Sequence, residues 1–327
     1  MKVLISIQQP VKAWQIPPQA VAELRRRFPE INFIHATDDE TRARGLKDCD
    51  IAYTWILSAD EAATATQLKW VHTSAVAVET LPLADLFSRG IIVSNSRGVQ
   101  ATPIAEHVFA VLLALAKQLP LILEHQRRHH WAQNDVIGEQ LPWLLRRRTL
   151  GLIGVGTIGS EIALLADAFG MHVIGLRRRS GNEQVAGVHE MLPYGELDAM
   201  LARADVVVIA APLTPETTSL IGPAQLARMK RGALLINVGR ARIVDHVALT
   251  EALHSRHLGG ASLDVFHQEP LPADDPLWSA PNVILTPHTS GFRQGHWDDV
   301  IDLFAENIAR FQRGEPVRFR VEPSLGY

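Results

Sequence analysis

The chain has a single cysteine, Cys49, so it has no intrachain disulfide framework. That absence fits a reducing compartment, and the cytoplasm is the expected location. An excess of one charge is also missing. Thirty-two Lys and Arg stand against 35 Asp and Glu, and the net charge of −3 gives no argument for nucleic acid or an anionic membrane as partner. No apolar run reaches membrane-spanning length; the stretch 109–116 is too short and Lys117 follows it. The opening MKVLISIQQP reads as a short strand ended by a proline. It lacks the longer apolar segment and small-residue cleavage site of a secretion signal. Internal repeats and low-complexity tracts are absent as well. What remains is a globular composition, 47% hydrophobic and 20% charged, in 327 residues, room for roughly two domains.

The stretch that organises the chain is 150–180, LGLIGVGTIGSEIALLADAFGMHVIGLRRRS. Residues 150–153 read as a buried strand, 160–169 as a helix capped by Gly170, and 171–176 as a second strand. Between the first strand and the helix lies Gly154-Val155-Gly156-Thr157-Ile158-Gly159, a GxGxxG turn. In a β-turn-α-β unit such a turn binds a dinucleotide pyrophosphate. Gly154 makes the tight turn, Gly156 lets the backbone approach the phosphates, and Gly159 lets helix and strand pack closely. The helix N-terminus then presents N–H groups and a positive dipole end to the anion.

The N-terminal region alternates strands at 2–7, 32–35, 50–54, 68–74 and 91–95 with helices at 18–27, 61–66 and 81–89. It is therefore a parallel α/β sheet in its own right, without a glycine-rich phosphate turn. A long helix is expected from Thr102 as N-cap and Pro103 in the first turn, apolar on most faces and so buried between domains or subunits. The basic cluster EHQRRHHW at 124–131 places His125 and His129 at helical i, i+4 spacing. No third ligand stands at a matching position, so it reads as a solvated face or an intersubunit contact, and no metal is expected. Past the opening stretch, strands at 205–210, 233–238, 260–263 and 283–286 end at Pro212, Arg240, Asp264 and His288, with Glu269 shortly beyond Asp264.

Ligands of a doubly wound sheet bind outside the carboxyl ends of its strands. Taken singly, Arg240 is an ordinary surface cation, His288 a loop histidine and Glu269 a turn cap. Together, behind a nucleotide turn, they are the parts that hydride transfer to a 2-oxo acid needs. A planar, permanently charged guanidinium holds a carboxylate in bidentate fashion and polarises the carbonyl. A histidine supplies the proton, and a carboxylate beside it raises its proton affinity and fixes its tautomer.

These residues sit in LGLIGVGTIG (150–159), APLTPET (211–217), INVGRARIVD (236–245), ASLDVFHQEPLP (261–272) and PHTSG (287–291), with SNSRGVQATPIAEH (94–107) ahead of them. Over nearly its whole length the chain resembles the D-isomer-specific 2-hydroxyacid dehydrogenase family, which includes glyoxylate/hydroxypyruvate reductases. The resemblance implies an α/β fold of two Rossmann-like parallel-sheet domains. A dinucleotide-binding domain, 102–289, is inserted in a flavodoxin-like substrate domain formed by 1–101 and 290–327, with the active site in the cleft. It implies a small 2-oxo or 2-hydroxy acid as substrate and a homodimer, the helix after Thr102 being part hinge and part dimer contact. Arg240 then binds the substrate carboxylate and carbonyl, His288 is the acid/base, and Glu269 pairs with His288. Asp264 holds the nicotinamide carboxamide and Thr102 reaches the nicotinamide end. Gly154, Gly156, Thr157 and Ile158 lie on the pyrophosphate, and Pro212, Thr217 and Val238 line the adenine and ribose side. Gly239 and Ser290 complete the cofactor contacts, and Val76 and Ala77 join Arg240 and His288 at the substrate.

Two departures from the family pattern matter. Where NAD-using members carry an aspartate at the end of the second strand, this chain has Arg177, followed by Arg178 and Arg179. A guanidinium cluster suits a ribose 2′-phosphate, so NADP(H) is expected over NAD(H). In the loop Ser74-Ala75-Val76-Ala77-Val78-Glu79, alanines 75 and 77 replace the usual glycines, which narrows the allowed backbone. Trp55, Phe292 and Trp297 are candidates for the substrate pocket. The expected function is a 2-oxo acid reductase giving D-2-hydroxy acids. The alternatives are a phosphoglycerate dehydrogenase, disfavoured because the chain ends soon after its closing helix, and a non-catalytic nucleotide-sensing protein of the same fold. Formate dehydrogenase is disfavoured by a glutamate, not a glutamine, at 269.

Overall fold

The computed structural model describes residues 1–137, 141–178 and 184–323. The chain divides into two compact units, Met1–Gln100 with Arg293–Tyr327, and Ala101–Phe292. Each is built on one parallel sheet.

In the first unit the strands are β1 (Lys2–Ser6), β2 (Asn32–His35), β3 (Ile51–Thr54), β4 (Trp70–Thr73) and β5 (Ile92–Asn95). They lie in the order β2-β1-β3-β4-β5, every pair parallel, which is the flavodoxin-like order. Successive side chains feed two separate cores, because a strand alternates its faces with period two. Val3, Ile5, Ile51, Tyr53 and Trp70 pack with Phe304 and Ile308 of the helix His296–Gln312 on one face. Leu4, Ala52, Val71 and Val93 pack with Leu46, Ala62 and Leu86 on the other. With both faces covered, the strands read as continuous apolar runs.

The second unit holds β6 (Thr149–Ile153), β7 (His172–Arg177), β8 (Glu190–Pro193), β9 (Val206–Ile209), β10 (Leu234–Asn237), β11 (Gly260–Leu263) and β12 (Val283–Leu285). Their order is β12-β11-β10-β9-β6-β7-β8, again all parallel. The order reverses between β6 and β9, and that switch point is where a doubly wound sheet opens a crevice. Alternation recurs: Val206 and Val208 enter the core under the helix Ala101–Ala116, and Val207 and Ile209 enter the opposite one. Among the described residues no single helix is long and apolar enough to cross a membrane.

Some local expectations shift. The long helix begins at Ala101, so Thr102 stands inside its first turn and is not the N-cap. The helix after the glycine turn begins at Thr157, three residues early, because Gly159 belongs to its first turn. Strand β8 and the helix Asp39–Leu46 have no counterpart in the reading of the sequence. β8 is only four residues long, half-buried and ends in a proline, and the polar helix shows no apolar period and is set by its Asp38 cap on the Thr41 N–H.

The first unit also buries a histidine completely. His72 lies against the rings of Phe304, Tyr53 and Trp70. The Trp70 indole N–H donates to Ser94 Oγ at 2.8 Å, and Ser94 Oγ lies 2.7 Å from His72 Nδ1. An indole only donates, so the Ser94 proton is available to Nδ1, and the neutral ring fits this site. Burial drops the His72 imidazole to about 3 and, with the Arg293 charge adding to it, His296 to about 4. The folded values lie below the ordinary one, so the unfolded chain binds protons first. Stability is full above about pH 6.5 and is lost as pH falls through the window beneath it, at up to about 1.4 kcal/mol per pH unit per group. The urea midpoint of the first unit should therefore drop between about pH 7 and about pH 5. A midpoint that stays constant over that interval contradicts this account.

Candidate active site

At the carboxyl end of β6 the chain enters the glycine turn. Gly154 has φ +97°, and a Cβ there would stand 2.7 Å from the Ala211 backbone. Its N–H donates to Leu176 O at 3.0 Å, while the Ala210 N–H donates to Ile153 O at 2.8 Å. The ends of β6, β7 and β9 are thereby tied together. A Cβ on Gly159 would meet the Gly154 carbonyl oxygen at 2.2 Å, so the helix can lie this close only with glycine there. Gly156 differs: a Cβ on it would meet nothing within 4 Å. It stands at the N-cap of the helix Thr157–Ala168, which no side chain caps. Thr157 and Ile158 therefore carry first-turn N–H groups at a positive dipole end beside open space, the requirement for an anion such as a pyrophosphate.

The segments flanking the turn are held from within. Thr217 is buried, its hydroxyl donating to Pro212 O at 2.8 Å and accepting from the Thr214 N–H at 2.7 Å. It shapes the 212–217 loop. Val238 is buried, and Gly239 lies so near β9 that a Cβ would meet Ala211 O at 2.8 Å. Arg177 closes β7 and Arg178 follows it, both half-buried. Arg178 Nη1 stands 3.6 Å from Glu216 Oε2. Arg179 lies outside the described residues.

Three candidate side chains, Arg240, Glu269 and His288, come from three loops after β10, β11 and β12. Arg240 is anchored by its own backbone: Asn237 Nδ2 donates to Arg240 O at 3.1 Å, and Asn237 Oδ1 accepts from the Gly239 N–H at 3.0 Å. Glu269 Oε1 accepts from the Phe266 N–H at 3.0 Å, and its Oε2 lies 2.8 Å from His288 Nδ1. Burial pushes the Glu269 carboxyl up, but the His288 hydrogen bond, the Phe266 N–H and the positive charges of His288 and Arg240 outweigh it. The carboxyl is held below its ordinary value. An ionised carboxylate on Nδ1 fixes that nitrogen as N–H, leaving Nε2 as the nitrogen for proton transfer on the far side of the ring.

His288 itself takes φ +53°, uncommon for a residue with a Cβ. The buried Asp264 holds it there. Its carboxylate accepts from Thr286 Oγ1 at 2.6 Å, the Thr289 N–H at 2.9 Å and the Ser290 N–H at 3.1 Å. The loop carrying Glu269 has its own clamp. His267 Nε2 lies 3.1 Å from Val244 O, and His246 Nε2 lies 3.1 Å from Asp275 Oδ2. The segment after Arg240 and the loop of Glu269 are thus fastened to each other.

The remaining sites lie apart in sequence. Val76 and Ala77 belong to the first unit, where Asn95 Nδ2 donates to Val76 O at 2.8 Å. No residue from 74 to 79 has positive φ, so this backbone accommodates alanine without strain. Trp55 stacks on Trp14 at 5.5 Å, and Trp297 donates to Ala13 O at 3.1 Å, both in the first unit; Phe292 belongs to the second. Thr102 is exposed on the first turn of its helix. The reading of the sequence passed over Asn237, Thr286 and Glu216, which position Arg240, Asp264 and Arg178. All three stand within or beside the quoted motifs, but only the fold shows what their side chains reach.

The family model described as D-isomer specific 2-hydroxyacid dehydrogenase, NAD binding domain, matches residues 109–290. The chain is 36% identical over 275 residues to a glyoxylate reductase of Korarchaeum cryptofilum, covering 83% of this chain and 82% of that one. It is 32% identical over 270 residues to a D-3-phosphoglycerate dehydrogenase of Archaeoglobus fulgidus, covering 82% of this chain but 50% of the relative. It thus spans about half the length of that relative. A crystal structure of a D-isomer specific 2-hydroxyacid dehydrogenase from Xanthobacter autotrophicus, in complex with NADPH and MES, superposes with a TM-score of 0.85 at 29% identity. The match covers 100% of this chain and 99% of that one.

The Asp264 cluster makes a testable demand. Asp264→Ala leaves the Thr289 and Ser290 N–H groups without their acceptor, and charge-assisted bonds of this kind are worth about 1.5–3 kcal/mol. The variant should unfold at a clearly lower urea concentration than wild type. An unchanged midpoint would mean the carboxylate does not hold this loop.

Proposed function

We propose a 2-oxo acid reductase of the glyoxylate/hydroxypyruvate type: the chain belongs to the D-isomer-specific 2-hydroxyacid dehydrogenase family, and it is an oxidoreductase acting on a CH–OH group with NAD(P). The observation that carries the proposal is the 2.8 Å Glu269–His288 pair, with the charge of Arg240 acting on the same carboxylate, at the strand ends beside the glycine turn. The Korarchaeum relative supports the substrate class.

In this reading the unit Ala101–Phe292 binds the cofactor and carries Arg240, Glu269 and His288, while Val76 and Ala77 belong to the other unit. The residues fit a dinucleotide: the open space at Gly156, the uncapped helix and the glycines that let strand and helix meet are what a pyrophosphate needs. Gly154, Gly156, Thr157 and Ile158 hold the pyrophosphate; Pro212, Thr217, Val238 and Gly239 line the nucleoside side; Asp264, Ser290 and Thr102 lie toward the nicotinamide. The cofactor supplies the hydride. Arg240 holds the substrate carboxylate and polarises the C2 carbonyl, with Val76 and Ala77 as further substrate contacts. His288 Nε2 gives its proton to the oxygen as the alcohol forms, and Glu269 orients the ring and stabilises its charged form. Oxidation of the D-2-hydroxy acid reverses both transfers.

Arg177 and Arg178 stand at the end of β7, where an aspartate would hold a ribose 2′-OH, and these two guanidinium groups favour NADP(H) over NAD(H). The NADPH complex of the Xanthobacter relative agrees. Six of the exposed large apolar residues, Leu119, Leu123, Trp131, Ile137, Leu141 and Leu144, fall in one stretch, and they support a homodimer. The single cysteine fits a cytoplasmic enzyme. The second reading, oxidation of D-3-phosphoglycerate, draws on the Archaeoglobus relative.

Turnover of NADPH with glyoxylate, hydroxypyruvate, longer 2-oxo acids and, in reverse, D-3-phosphoglycerate separates these readings. Reduction of glyoxylate or hydroxypyruvate is expected, and no turnover on any substrate would leave a nucleotide-binding protein. His288→Ala and Arg240→Ala should each lower kcat/KM by orders of magnitude while nucleotide still binds. Because the Glu269 carboxyl stays ionised well into the acid range, Glu269→Gln should cut kcat at least tenfold and alter the pH profile, with KM for NADPH unchanged. Equal kcat/KM for NADPH and NADH would sink the cofactor assignment.

A further inference from the structure

Outside the active site, one cluster of histidines is built by the backbone. The helix Leu119–Arg127 ends at Arg128, and His129 takes φ +53°. The His129 N–H donates to Gln126 O at 3.0 Å, and the His130 N–H donates to His125 O at 3.1 Å. That pair of bonds is a Schellman closure, with His129 in its left-handed position. Such a closure brings together the side chains of the residues five apart that it links, usually as an apolar contact. Here they are His125 and His130, with ring centroids 5.1 Å apart. The pairing expected from helical spacing, His125 with His129, does not form, because the helix has already ended.

A third group completes the set. The short helix Gln133–Val136 brings Asp135 Oδ2 to 3.0 Å from His130 Nε2. The three side chains can each offer one ligand atom, and those atoms all lie within 4.8 Å of one another. Ligands around a tetrahedral Zn²⁺, at about 2.0–2.2 Å from the ion, stand roughly 3.3–3.5 Å apart. Small side-chain rotations close the difference. Two imidazoles and one carboxylate make a donor set suited to a borderline divalent ion, with one position left for water.

We propose that His125, His130 and Asp135 form a surface site for a divalent transition cation of the Zn²⁺ type. Occupancy closes the 125–135 segment into a cross-linked loop, fixing the presentation of Trp131, which is 87% exposed within it. The two imidazoles bind as neutral rings, so protons compete with the ion for the site. The His130–Asp135 hydrogen bond opens on binding, its partners turning to the ion.

The test is titration of the tag-free, EDTA-treated full chain with Zn²⁺ against a chromophoric chelator. Wild type should take up one Zn²⁺ per chain at this site. His125→Ala and His130→Ala should each weaken that uptake at least tenfold, and Asp135→Asn should weaken it less. His129→Gly keeps the left-handed position and should bind as wild type does. His129, His130 and Asp135 are exposed and His125 is half-buried, and circular dichroism checks that each variant is folded. Uptake that survives the His125→Ala/His130→Ala double variant, or that is lost in His129→Gly, would overturn the assignment.

Discussion

One buried carboxylate fixes the loop of the second unit that carries His288. Asp264 stands at the end of β11, almost without solvent, and its two oxygens are taken by the hydroxyl of Thr286 and the N–H groups of Thr289 and Ser290. A buried charge is tolerable only with such partners, so its position dictates the path of the loop. That path forces His288 into a left-handed conformation and aims its imidazole at Glu269. Asp264 also raises the proton affinity of the half-buried His107 against the stronger opposing effect of burial.

The loop of Glu269 is fixed independently. Its clamp to the segment after Arg240 uses His246, His267 and Asp275, so the loops of Arg240 and Glu269 are tied into one body. The His288 loop meets that body through the Nδ1–carboxylate bond. Arg240, Glu269 and His288 thus stand on three loops with short tethers to rigid strands, the preorganisation that the proposed pairing of a permanent charge with a proton donor requires.

Much of this was legible from residue order. The glycine turn, the alternation of strands with helices and the residues Pro212, Arg240, Asp264 and His288 at strand ends could be read in order, because parallel strands expose their carboxyl ends together. The half-buried edge strand β8 and the polar helix Asp39–Leu46 left no apolar period to read. Asn237 and Thr286 act through single hydrogen bonds whose partners are fixed only by the fold. The histidines at 125–130 show the same limit: spacing along an ideal helix pointed to His129, but the helix stops two residues earlier and the turn selects His130.

The glycines of the opening turn are not equivalent. Gly154 and Gly159 are demanded by atoms of the protein itself, the Ala211 backbone and the Gly154 carbonyl, whether or not anything binds. Gly156 has no described atom within 4 Å of where its Cβ would stand. A descendant that gave up its nucleotide but kept its shape would still be obliged to retain the outer two, while the middle one could drift. The central glycine is therefore the position of the motif that records a ligand, and the flanking pair records only the architecture.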